Sequence, residues 1–110
     1  MMLDQHMNAV YDKEHYNCRH FARDVWQTLT GQDIGNLLNN PLGVKDRIKL
    51  LKEPVFPCIA LYRQPTGEVH VGVRLRRTTI HLTEKGVENL AHSLVARGYR
   101  KQVRYYAPCL

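Results

Sequence analysis

Three side chains of this 110-residue sequence have the types and placement for nucleophilic catalysis: Cys18, His70 and His81. Cys18 opens an apolar stripe, continued by Phe21, Ala22, Val25, Trp26 and Leu29. Its i, i+3, i+4, i+7 spacing predicts an amphipathic helix of roughly 14 residues. Asn17 stands where an N-cap belongs and Gly31 where the helix should stop. A thiol in the first helical turn meets the positive end of the helix dipole and unpaired backbone N–H groups. These favour the thiolate, with a pKa well below the usual ~8.5, and can later donate to an oxyanion. The same position also suits a cysteine that merely begins the buried stripe. On Cys18 alone both readings stand.

The histidines narrow the choice. Residues 68–75 alternate, with Val69, Val71, Val73 and Leu75 on one face and His70, Gly72 and Arg74 on the other. In the next strand Ile80 and Leu82 face the core, so Thr79, His81 and Thr83 face away from it. With a tight connection at Arg76–Thr78, the two histidines emerge on one face, directly opposite or one diagonal step apart. The face assignment survives any even slip of register. Gly72 leaves the backbone between them open to close approach. Two exposed histidines on a solvated strand would give the same pattern. A Cys–His hydrolase needs a thiol at a helix start, an imidazole to take and return its proton, and a third group to orient that imidazole. Cys18, His70 and His81 can supply all three.

The elements that must position them follow from the punctuation of the chain. Residues 32–53 form a connecting region marked by Asn39-Asn40-Pro41, in which Val44, Ile48 and Leu51 predict a short helix before Glu53-Pro54. An apolar strand from Phe56 to Arg63 follows, then a turn at Gln64-Pro65-Thr66-Gly67. Further strands run from Glu68 to Leu75 and from Thr79 to Thr83. Val87, Leu90, Ala91, Leu94 and Val95 predict a second amphipathic helix stopped by Gly98, with a last strand from Lys101 to Tyr106. Helices and strands that do not alternate as βαβ predict an α+β fold with helices on one face of an antiparallel sheet. The length predicts a single domain over residues 1–110.

Composition limits the partners. A formal net charge of +6 points to an anionic partner, such as an acidic polymer or protein, or to a solvated basic surface. No Lys/Arg run or basic–aromatic interleaving predicts specific nucleic-acid binding. Cys18, Cys58 and Cys109 are an odd number of cysteines, so a disulfide framework is not expected and at least one thiol is free. No CxxC or HxxxH spacing offers a zinc half-site, and neither metal nor cofactor is expected. No stretch reaches the ~18 apolar residues of a membrane span. Met1 to His6 has neither the basic nor the apolar region of a secretory signal. The expectation is synthesis in the cytoplasm, with any delivery by other means.

Three segments carry a family resemblance. Tyr16-Asn17-Cys18-Arg19-His20-Phe21-Ala22, His70-Val71-Gly72-Val73-Arg74-Leu75 and Thr79-Ile80-His81 resemble, in order and spacing, the motifs of NlpC-type cell-wall peptidases of the papain-like superfamily. The run ending Arg97-Gly98-Tyr99 resembles the closing part of small phage-encoded members. The resemblance covers residues 11–106. It implies a papain-like fold, with the N-terminal helix carrying Cys18 packed on an antiparallel sheet. It also implies Cys18 as nucleophile, His70 as general base and His81 as the orienting residue, with Tyr11 or Tyr16, Asn17 and Arg19 on the oxyanion or substrate side. The activity implied is a metal-free cysteine peptidase or amidase that cleaves peptidoglycan stem peptides through a thioester. Delivery by a phage tail or contractile secretion system would make those proteins partners and place the chain in the virion, periplasm or cell wall. The flanks depart from the pattern: Asn17 replaces an Asp, Arg19 a small residue, and Phe56-Pro57-Cys58 a Gly-Asp. A catalytically weak or inactive structural or binding module of the same fold in a phage tail would show such departures.

Overall fold

The computed structural model describes residues 3–35, 37–39 and 47–109. The expected helix forms where its signals lie, as α1, Cys18–Thr30. Asn17 Oδ1 accepts the Arg19 N–H at 3.0 Å while His20 Nδ1 accepts the Asn17 N–H at 3.1 Å. This reciprocal cap satisfies donors that a helix start leaves open. Gly31 ends the helix in the left-handed region at φ 74°, which costs a glycine nothing.

Six strands form one antiparallel sheet: β1 (Ile48–Leu50), β2 (Cys58–Arg63), β3 (Val69–Arg74), β4 (Thr78–Thr83), β5 (Gly86–Ala91) and β6 (Val103–Pro108). Their spatial order is β1-β6-β2-β3-β4-β5. A short helix, α2 (His92–Gly98), joins β5 to β6. The fold is therefore α+β, one long helix and one short one on a six-stranded antiparallel sheet. Among the described residues no helix is long and apolar enough to cross a membrane.

Phe21, Ala22, Val25 and Trp26 of α1 bury against Val71, Val73, Ile80 and Leu82. Each large side chain fully removed from water contributes about 1.5–3 kcal/mol, so this seam fixes the helix start over β3 and β4. Ala60 and Tyr62 alternate with Ile59 and Leu61 and therefore point to the opposite face. There they pack with Val95 of α2, and Tyr99, Val103 and Tyr105 border them.

Three expectations are corrected. The helices lie on both faces of the sheet, not one, because the second face carries its own apolar residues for α2 to cover. The helix expected from Val44 to Leu51 is instead β1 where it is described, with Lys49 paired to Ala107; Val44 lies outside the described residues. The helix expected from Val87 begins only at His92. Thr83 pairs with Gly86 and Leu82 with Val87, so the chain folds straight back onto the open edge of β4. In both places an apolar spacing compatible with a helix is claimed by a sheet edge that needs backbone partners.

Candidate active site

The site begins with an interrupted ladder. β3 and β4 pair at Arg74↔Thr79 and Val73↔Ile80, and the registered pairing stops there. Continued by one step, the register sets Gly72 opposite His81. A Cβ at position 72 would lie 3.3 Å from His81 Cβ, 3.3 Å from the Ile80 carbonyl oxygen and 3.2 Å from Thr79 Cγ2. The missing side chain lets His81 lie close against β3, one diagonal step from His70. His70 Nε2 and His81 Nδ1 are 2.8 Å apart, with the rings nearly perpendicular at 80°. Both rings are buried, at 8% and 2% exposure, so the solvated strand face does not exist here.

Where the strands part, a backbone amide becomes available. The Leu75 N–H bonds across to Thr78, and Val73 and Val71 point the same way along the strand. The Val71 N–H, without a rung to β4, lies within reach of the Cys18 sulfur, as do the N–H groups of Cys18 and Arg19. Cys18 and His70 together line a cleft of about 550 Å³, with Tyr11, Asn17, Arg19 and Tyr99 on its walls.

Burial sets the charge state. It raises the Cys18 thiol above its ordinary value, against the pull of those N–H groups and of the Arg19 charge. It drives His70 down to about 3, with the charges of His81 and Arg19 adding to the effect. The resting pair is thus a neutral thiol beside a neutral imidazole. This corrects the low-pKa thiolate expected from the helix dipole: desolvation, invisible in the sequence, outweighs the dipole.

His81 has a second neighbour. Glu88 sits opposite it on β5, with Oε1 3.0 Å from His81 Nε2, in ion-pair range though not aligned as a hydrogen bond. Burial lowers the His81 pKa and the Glu88 carboxylate opposes that fall. Tyr99 lies flat on His70, ring centres 4.9 Å apart at 13°. Burial pushes its phenol up to about 12, with the charges of Cys18 and Glu88 adding. Arg100 and Lys101 follow at φ 56° and 61°, reversing the chain immediately after that ring.

The residues expected on the substrate side divide. Tyr11, Asn17 and Arg19 line the cleft. Asn17 spends both polar atoms on structure, since its amide also donates to the Lys13 carbonyl at 3.2 Å. Arg19 Nε is buried without a hydrogen-bond partner among the described residues. Tyr16 is turned away: its hydroxyl donates to Asp24 at 2.6 Å and its ring stacks on His20, so it braces α1. Glu88 and Tyr99 escaped the sequence reading because residues 87–95 carry a helical apolar spacing. The Glu84-Lys85-Gly86 turn after a strand was the available sign of a hairpin.

All three cysteines are unpaired. Cys58 is fully buried and its thiol is pushed up to about 11 by that burial, which leaves it inert, while Cys109 is exposed. Among the described residues no group of three His, Cys, Asp or Glu side chains is arranged to hold a metal ion. No protein-family model, curated protein or solved structure matches this chain.

Proposed function

We propose that this protein is a papain-like, NlpC-type cysteine hydrolase that cleaves amide bonds in bacterial peptidoglycan stem peptides. The supporting observation is the buried 2.8 Å contact between His70 and His81 at the wall of the cleft that holds Cys18. The proton logic runs from the back of the site forward. A proton on His81 Nε2, facing Glu88, leaves Nδ1 as an acceptor. His70 Nε2 then donates to it, which leaves His70 Nδ1 with a lone pair for the thiol proton. Sulfur attacks the scissile carbonyl as that proton moves to His70. The Cys18 N–H, which the Asn17 cap does not take, can donate to the resulting oxyanion. His70 returns the proton to the leaving amine, and water resolves the thioester. Because the pair rests neutral, proton transfer accompanies attack, as in a serine triad.

The second reading is a catalytically weak or silent module of the same fold in a phage tail. The raised Cys18 thiol and the strongly lowered His70 favour it, because both oppose formation of the ion pair. Intact-mass analysis after incubation with purified stem peptides separates the two. Hydrolysis predicts cleaved peptide and a transient thioester on the wild type, with neither on Cys18→Ala. A folded wild type that yields neither product nor adduct sinks the hydrolase reading and leaves the module.

A further inference from the structure

Two smaller cavities flank the cleft. One, of about 460 Å³, shares Gln64 and Tyr99 with it, and the other, of about 160 Å³, shares Val69. Both are walled by Arg63 and Gln102, so the two cavities adjoin each other and the cleft at the end of β2 and β3. Arg63, Arg100, Lys101 and Arg104 supply cations to the two cavities and no carboxylate lines either. Among the described residues none of these four has an ion-pair partner. The cleft itself carries Glu68, Glu84 and Glu88, balanced by Lys13, Arg19 and Lys85. The charge is therefore laid out in two zones, balanced at the cleft wall and basic beyond it.

We infer that this basic groove binds the carboxylates of an extended acidic peptide whose susceptible amide lies at Cys18. The inference rests on the hydrolase reading of the cleft and adds to it the kind of substrate the site prefers. Guanidinium groups pair with carboxylates in a planar, two-point fashion. The balanced cleft offers a uniformly anionic polymer no net attraction, whereas a peptide with acidic residues along one half and a neutral half fits both zones.

The test uses the full chain. Fluorescence anisotropy with the Cys18→Ala protein measures binding of a labelled octapeptide of four glutamates joined to four alanines, and of its glutamine counterpart. One variant carries Arg63→Gln, Lys101→Gln and Arg104→Gln. A control variant carries Lys49→Gln, Lys52→Gln and Arg77→Gln, and so loses the same charge from exposed residues outside the groove. The groove variant should bind the acidic peptide roughly tenfold more weakly, and the control should bind like its parent. Equal losses in both variants would reduce the effect to net charge and overturn the proposal. So would equal binding of the acidic and glutamine peptides, or displacement of the acidic peptide by polyphosphate at matching charge concentration. In the wild type, the acidic peptide should slow iodoacetamide alkylation of Cys18, and in the groove variant it should not. Binding without that shielding disconnects groove from cleft and overturns the substrate role. That outcome is separable from a failure of hydrolysis, since neither measurement requires turnover.

Discussion

Acid should unfold this protein through His70, and the size of the effect follows from its surroundings. His70 is buried beside His81, and its pKa falls from an ordinary 6.5 to about 3. The unfolded chain therefore binds a proton at this position that the folded chain refuses. For a group whose folded pKa is depressed by burial as a neutral base, the stability is complete above the unfolded value. It is lost as pH falls from 6.5 toward 3. At about pH 4.5 the protein lies two units below the unfolded value, at 1.36 kcal/mol each, so His70 alone removes about 2.7 kcal/mol. That is a large part of the 5–15 kcal/mol stability typical of a small domain. Urea unfolding at about pH 7.5 and about pH 4.5, on the wild type and on His70→Asn, isolates this quantity. The asparagine cannot titrate, and the other acid-sensitive groups are common to both proteins. The wild type should lose about 2–3 kcal/mol more than the variant between the two pH values. Equal losses, within ~0.5 kcal/mol, would mean that His70 is protonated in the folded protein, and the neutral-pair description of the site would fail.

Three further outcomes test the parts that hold the site. Gly72→Ala places a methyl 3.3 Å from the Ile80 carbonyl and His81 Cβ. It should cost about 1–3 kcal/mol in urea unfolding and separate the two imidazoles in their NMR signals; an unperturbed pair would show that the close approach is not needed. Glu88→Gln removes the negative charge that supports a proton on His81. The His81 titration followed by NMR should move to lower pH, and an unmoved midpoint would show that the 3.0 Å contact does not operate in solution. Asn17→Ala deletes the cap of α1 and should lower stability by about 1 kcal/mol, read from the denaturation midpoint. A neutral result there would mean that His20 or water replaces the cap.

Local signals found α1, β3 and β4, because each carries its own boundaries. Asn17 and Gly31 bracket the helix, and strict alternation sorts His70 and His81 from Val71, Val73, Ile80 and Leu82. That the two histidines meet on one face, opposite or one diagonal step apart, was legible for the same reason. β1 and β5 were not. Ile48 and Leu51, or Val87, Leu90 and Ala91, have spacings a helix could use, and what decides against it is an open strand edge, that of distant β6 for β1 and of adjacent β4 for β5. The misreading of residues 87–95 then concealed what covers the second face. Without the β5 hairpin there was no route to Glu88 beside His81, and with the second helix expected on the same face as α1 there was none to Tyr99 over His70. Burial of both imidazoles is a consequence of that cover, and the raised thiol a consequence of burial in the core beneath α1. They depend on tertiary packing that alternation and capping do not encode.

The early end of the β3–β4 ladder sets stability and chemistry against each other at one amide. Had the strands continued to pair, the Val71 N–H would have gone to β4 and the sheet would have been stronger by one rung. As built, that N–H lies within reach of the Cys18 sulfur and opposes the rise that burial imposes on its pKa. Selection for a tougher protein would favour changes that zip the strands shut, and each such change would take that amide from the thiol and leave its pKa higher still. The site is thus protected from improvement of the fold around it, and stabilised variants of this protein should be sought on α2 or β1, away from that seam.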